Sequence, residues 1–124
     1  MTEGSRSWAV PGGRVPEDST GREPENTSYD LLCVLNTGQE DALVSLWLYY
    51  EERPPVGPYE FEVKAERVRH VRLNDLIDPE AIPLGVEYGI IIRSNVLITV
   101  QYWRQDTSRG KTLATAMAVP LDRP

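Results

Sequence analysis

Two short stretches carry the residue types that do chemistry. The first is Arg69-His70-Val71-Arg72-Leu73-Asn74-Asp75, which holds the chain's one histidine. On a strand, side chains alternate between faces, so His70 and Arg72 share one face while Arg69, Val71 and Leu73 share the other. An imidazole beside a guanidinium can hold a carboxylate, a phosphate or sugar hydroxyls. A structural role competes with that one: Arg72 pairing a carboxylate across the sheet, Asn74 and Asp75 capping the turn that follows. The second stretch is Gln101, Trp103, Arg104 and Asp106, at a strand end and into its loop. Gln101 and Trp103 point to one face. An aromatic plane with an amide and a guanidinium nearby grips sugars and planar rings. Trp103 is equally at home in a core or subunit interface, and an Arg104–Asp106 ion pair would be structural and weak if exposed.

Three further aromatic positions stand out. Trp8 opens the first strand beside a flexible stretch, where it lids a pocket or plugs the end of the fold. Trp47 and Tyr49 sit on the face of their strand opposite the core, which suits an oligomer interface. Taken together, His70, Arg72, Asn74, Gln101, Arg104 and Asp106 are expected to form one recognition surface at the loop ends. Arg72 and Arg104 would hold anionic or hydroxyl groups, His70 and Gln101 would orient them, and Trp103 or Trp8 would stack. Catalysis is not expected: one histidine and the buried-looking Cys33 make no nucleophile–base pair. Acidic residues such as Glu51-Glu52 and Asp78/Glu80 sit beside prolines and read as solvated. The spacings call for no metal and no cofactor.

The elements that must position these residues are strands. Tyr59, Phe61 and Val63 interleave with Glu60, Glu62 and Lys64, a period of two with one wet face. Strands at 42–50 and 96–104 are apolar on both faces and are expected to be covered on both sides. Eight strands are expected, at 7–10, 30–36, 42–50, 59–63, 67–73, 88–94, 96–104 and 112–119. Asn36-Thr37-Gly38 closes the second. Pro54-Pro55-Val56-Gly57-Pro58 interrupts a ladder, because proline lacks the N–H. A capped helical turn is expected near 74–78, stopped by Pro79, and Asn95 suits a left-handed turn between two strands. Residues 1–6 read as a polar tail and 11–28, rich in proline and glycine, as a long loop. Turns at about ten-residue spacing are the signature of an antiparallel β-sandwich or jelly roll.

Composition sets the outer limits. The chain has 124 residues, which is one domain by length. Thirteen basic against nineteen acidic residues leave a net charge of −6, which argues against nucleic acid and anionic membranes as partners. One cysteine excludes an internal disulfide and a cysteine zinc cluster. There is no apolar run near membrane-spanning length, and the opening MTEGSRSW is polar, with no sign of a signal peptide, so a soluble cytoplasmic protein is expected.

A series of short motifs runs in order along the chain: Trp8-Ala9-Val10 with Gly13 and Pro16; Cys33-Val34-Leu35-Asn36 with Gly38, Glu40 and Asp41; Tyr49-Tyr50; Pro55-Val56-Gly57-Pro58-Tyr59; Arg69 to Leu76; Asp78-Pro79 with Ile82-Pro83; and Gln101 with Arg104 and Asp106. From Trp8 to Ala118 the series resembles the sensory rhodopsin transducer family, small soluble proteins named after the partner of a cyanobacterial sensory rhodopsin. The resemblance implies an eight-stranded β-sandwich, a homotetramer and a non-catalytic role. That role is relay from a membrane photoreceptor or, in members without one, binding of a small polar molecule such as a sugar. A suggested family link to DNA gains little support from the −6 charge. The chain departs from the family where a His-Thr pair is common; Tyr102-Trp103 stands there instead.

Overall fold

The computed structural model describes residues 4–17, 28–108, 110 and 112–121. The chain runs β1 (Ser5–Arg14), β2 (Tyr29–Asn36), β3 (Ala42–Tyr50), β4 (Val56–Val63), β5 (Arg67–Arg72), a 3-10 turn (Leu73–Asp75), β6 (Glu87–Asp106), β7 (Thr112–Met117) and β8 (Val119–Pro120). The strand pairings are antiparallel. Strand β6, 20 residues long, belongs to two layers. Its first half pairs with β1 and β3, in the order β4-β3-β6-β1-β8. Its second half pairs with β2 and β7, and β5 adds beyond β2. The eight strands form one open sheet folded over a shared core, a β-sandwich-like arrangement.

The core follows from parity. In β6 the even residues Tyr88, Ile90, Ile92, Ile98, Val100 and Tyr102 all point inward, without a slip of phase. They meet Val44, Leu46 and Leu48 of β3, Val10 of β1, and Leu32 and Val34 of β2 in one cluster. The two expected strands at 88–94 and 96–104 are therefore one. Asn95 is not a left-handed break; among the described residues Glu66 is the non-glycine position with positive φ. Asn95 instead accepts the Leu43 N–H through Oδ1 at 2.7 Å, and the β-branched residues on either side keep the chain extended.

Other boundaries shift for related reasons. The expected strand at 112–119 is two: β7 lies on the second half of β6, β8 pairs with Trp8 and Ala9 of β1, and the small buried Ala118 makes the crossing between layers. Strand β1 continues through Pro11-Gly12-Gly13-Arg14, where a loop is expected. A register shift between Val10 and Gly13 absorbs the proline. Gly13 lies against the Tyr88 ring, where a Cβ would collide. Likewise β4 begins at Val56, ahead of the expected 59, because a shift between Leu46 and Leu48 accommodates Pro58. These prolines and glycines mark bulges rather than loops, a distinction that composition does not make. Of the expected loop, residues 15–17 and 28 lie outside strands and 18–27 outside the described residues; of the expected tail, Ser5 and Arg6 belong to β1 and residues 1–3 lie outside the described residues.

Two turns are specified by asparagines. Asn36 ends β2 as expected: its buried amide donates to the carbonyls of Glu40 (2.8 Å) and Val63 (3.2 Å) and accepts the Gly38 N–H (3.0 Å). The turn expected near 74–78 is a 3-10 turn at Leu73–Asp75 with no side-chain cap. Asn74 is drawn away from capping by a tertiary partner described below.

Leu46 and Leu43 lie three residues apart on β3, the first fully buried and the second 58 % exposed. Leu46→Ala is expected to cost about 2–5 kcal/mol, and Leu43→Ala within about 0.5 kcal/mol. Urea unfolding of both variants checks this; equal losses would contradict the assigned facing of β3.

Candidate functional site

The polar centre of the molecule is Asp30. It sits at inward parity with Leu32 and Val34 on β2 and is fully buried. The β2–β6 register sets Arg104 directly across from it. Arg104 Nε donates to Asp30 Oδ1 at 3.1 Å, and Arg104 Nη2 donates to Tyr102 Oη at 3.0 Å. Asp30 Oδ2 accepts the Arg14 backbone N–H at 3.1 Å and a short bond from the Tyr88 hydroxyl. A buried carboxylate is tolerated only when its charge and lone pairs are met, and here β1 and both halves of β6 supply the donors. Burial and the Asp30 charge drive the Tyr88 hydroxyl far above its ordinary pKa. Burial raises Tyr102 as well, partly offset by Arg104. For Arg104 burial opposes the cation, but Asp30 and Tyr102 outweigh it and the net shift is upward.

Above this network lies an open cavity of about 590 Å³. Its walls carry Arg14, Arg104, Glu51, Glu87, Tyr49 and Tyr50, over a floor of Pro11–Gly13 and Gly89. The Asp30 carboxylate already balances Arg104, Arg14 pairs with Glu17 at 3.8 Å, and Glu87 lies across from Arg14 in the β1–β6 register, so the cavity is no simple anion trap. It offers guanidinium donors, carboxylate acceptors and tyrosine rings at once, a set that fits a polar, hydroxyl-bearing molecule.

The residues expected to act as one surface are divided by parity. His70, Arg72, Gln101 and Trp103 do share a face, the outer one of β5-β2-β6-β7, in the rows His70–Cys33–Gln101–Met117 and Arg72–Leu31–Trp103–Thr115. Trp103 Nε1 donates to Gln101 Oε1 at 2.9 Å, and the Arg72 guanidinium lies 5.1 Å from the Tyr29 ring centre. Arg104 points the opposite way, into the Asp30 network, and pairs with Asp30 rather than Asp106. Asn74 Oδ1 accepts the Asp30 N–H (3.3 Å) and Nδ2 donates to the Ser28 carbonyl (3.1 Å), which braces the start of β2. Asp106 Oδ1 accepts the Ser108 N–H and hydroxyl, which lower its pKa. Trp8 is buried, with Nε1 donating to the carbonyls of Ser5 and Ile98; it plugs the fold. Trp47 is half-buried and Tyr49 exposed on the outer face of the other layer. The buried Cys33 thiol is raised in pKa by desolvation, which keeps it protonated. Among the described residues no His, Cys, Asp and Glu side chains are grouped to hold a metal ion.

Asp30, Arg14, Tyr50, Glu87 and Tyr88 are absent from the sequence-based candidates. Asp30 had a legible signal: a carboxylate at the same parity as the apolar core residues of its own strand needs a buried partner. Arg104, at the parity of Val100 and Tyr102, is its counterpart. Arg14 and Glu87 carry no such mark, since their meeting depends on the β1 bulge.

The geometry defines a small β-sandwich-like domain with a polar cleft lined from both ends of the strand shared between its layers. Residues 3–120 match the family described as Anabaena sensory rhodopsin transducer, and the chain belongs to that family. A solved structure named Anabaena sensory rhodopsin transducer is 42 % identical, with a TM-score of 0.75 over 82 % of this chain and 96 % of that one. A Thermotoga maritima structure, described as Thermotoga maritima 1070, is 31 % identical, with a TM-score of 0.83 over 95 % of this chain and 96 % of that one. No curated protein matches the chain.

Asp30→Ala strands the Arg104 guanidinium and two further donors, and is expected to cost about 3 kcal/mol in urea unfolding; a loss under about 0.5 kcal/mol would mean the network is solvated. The tyrosines set a limit on the alkaline side. Burial raises Tyr59, whose hydroxyl donates to the Glu80 carbonyl at 2.8 Å, from 10.0 to about 12. The unfolded chain releases this proton first, so stability is full below pH 10 and falls as pH rises through about 12. Tyr59→Phe is expected to flatten part of that fall in pH-dependent melting; an unchanged slope would contradict the role given to Tyr59.

Proposed function

We propose that this protein is a non-catalytic cytoplasmic transducer that relays a signal by binding a partner. In a cell that holds one, the partner is a membrane-embedded sensory rhodopsin. The family membership supports the transducer role. The observation that carries association with other chains, copies of this one first, is the outer face of the β1–β6–β3 layer. There Ala9, Pro11, Tyr49 and Ile91 line an apolar hollow of about 350 Å³, with Trp47 across from Ile91. An aromatic, apolar patch of this kind is rarely left to water. We assign this face, with Trp47 and Tyr49, to self-association as a homotetramer. His70, Arg72, Gln101 and Trp103, on the opposite layer, then remain as a second face for the partner. Binding acts by shifting populations of loop or subunit packing. No described helix is long and apolar enough to cross a membrane, and the cytoplasmic placement rests on the family reading. The net charge of −6 weighs against nucleic acid.

A second reading is favoured by the cavity above Asp30: a small polar ligand, sugar-like in its hydroxyls, held by Arg14, Arg104 and Glu87 with a tyrosine ring as platform. This reading requires no cofactor.

Light scattering after gel filtration is expected to give the mass of four chains, reduced in Tyr49→Glu/Ile91→Arg; a monomeric wild type would sink the tetramer. An immobilised, detergent-solubilised sensory rhodopsin is expected to bind the wild type with an affinity that changes on illumination. No binding in light or dark would remove the rhodopsin partner. A thermal-shift panel of sugars, carboxylates and phosphates tests the cavity, since a ligand at ~100 times its Kd adds about 2.7 kcal/mol. A shift lost in Arg14→Ala/Glu87→Gln supports the second reading, and no shift across the panel counts against it.

A further inference from the structure

Strand β5 is an edge: it pairs with β2, and no other described strand pairs with it. Its six residues, Arg-Val-Arg-His-Val-Arg, concentrate three arginines and the chain's one histidine in a protein of net charge −6. Arg67 and Arg69 are exposed and point toward the neighbouring edge strand β4. There, with Glu62, Val63, Lys64 and Val68, they line a groove of about 420 Å³.

These cations are held in place by groups that do not neutralise them. Arg69 Nη1 donates to the Glu62 carbonyl at 2.8 Å, and its guanidinium lies 5.5 Å from the Phe61 ring centre. Arg67 Nη1 donates to the Glu66 carbonyl at 2.9 Å. The nearby carboxylates of Glu62 and Asp41 instead pair with Lys64, at 2.8 and 3.4 Å. On the other face of β5, Val68 is 56 % exposed beside Leu35, itself 43 % exposed. One edge therefore presents the fixed charge of Arg67 and Arg69 on one side and, on the other, the apolar surface of Val68 and Leu35 ahead of His70 and Arg72.

We propose that the β5 edge docks an extended partner segment of alternating acidic and apolar residues, added to the sheet as a further strand. Backbone groups on the free edge supply the pairing. Carboxylates at alternate positions meet Arg67 and Arg69, and the apolar positions between them cover Val68 and Leu35. Charge on an edge strand also discourages copies of that edge from pairing with each other. That repulsion acts between like edges and leaves an acidic strand attracted. The inference rests on the reading that the protein works by binding a protein partner, and it names the chemistry of the segment engaged.

The test is fluorescence anisotropy with a labelled short peptide alternating glutamate and valine, against a lysine–valine peptide and a scrambled one. The expected result is binding of the first peptide alone, weakened by salt, and about tenfold or more weaker in Arg67→Glu/Arg69→Glu with an unchanged melting midpoint. Should that variant fold poorly, Arg67→Gln/Arg69→Gln is expected to weaken binding in the same direction. Amide exchange along β5 is expected to slow when the peptide is bound. No binding at low salt, equal binding of the lysine peptide, or binding indifferent to both variants overturns the proposal. So does a wild type whose β5 edge is taken by a second copy, seen as self-association that Arg67→Glu/Arg69→Glu abolishes. If the peptide fails while an intact rhodopsin still binds, the β5 edge is wrong and the transducer reading stands. If the peptide binds and no rhodopsin does, the edge stands without that partner.

Discussion

Everything in this molecule depends on β6 staying in phase. Over this 20-residue strand the apolar even positions from Tyr88 to Tyr102 keep one parity as the chain passes from one layer to the other. A one-residue slip at the midpoint, between Ile92 and Ile98, would turn Ile98, Val100 and Tyr102 out to water and bring Gln101 and Trp103 into the core. That penalty couples the two layers, because a single strand supplies side chains to both ends of one core. The polar centre is built on the same constraint. Tyr88 comes from the first half of β6, Tyr102 and Arg104 from the second; Tyr88 and Arg104 reach Asp30, and Tyr102 joins them by accepting from Arg104, because their parity agrees.

Asp30 also explains why the polar residues are arranged as they are. A carboxylate this deep requires donors from several directions. It takes one from the β1 backbone, one from a tyrosine and one from an arginine, while its own N–H is met by Asn74. Asn74 is thereby committed to bracing β2, and the turn it occupies has no side-chain cap. The cleft above inherits a guanidinium whose charge is already balanced by Asp30.

The two layers divide the remaining surface by chemistry. One outer face is apolar and aromatic around Tyr49 and Ile91, and the other mixes Trp103 and Gln101 with His70 and Arg72. The edge between them carries the arginines of β5. Membership of the transducer family gives these surfaces their context, and their chemistries suit different contacts: a like copy, a partner protein, a charged strand.

The strands themselves were legible in the residues, because alternation of apolar and polar side chains is a local property and β-sheets obey it. The close of β2 at Asn36 was equally legible, since Asn36-Thr37-Gly38 is turn chemistry and the Asn36 amide oxygen accepts the Gly38 N–H two residues on. The facing of His70, Arg72, Gln101 and Trp103 also follows from parity alone. Pro11, Gly12 and Pro58 were misread as loop signals, because a bulge and a loop use the same residues and only the partner strand distinguishes them. Asn95 was misread because its turn propensity is weak beside an uninterrupted core pattern. The meeting of Arg14, Glu87 and Arg104 around one cleft belongs to tertiary structure entirely. It depends on the β1 bulge, the β2–β6 register and the crossing of β6 between layers. A charged side chain's partner is set by which strand lies opposite it, and sequence spacing does not encode that distance.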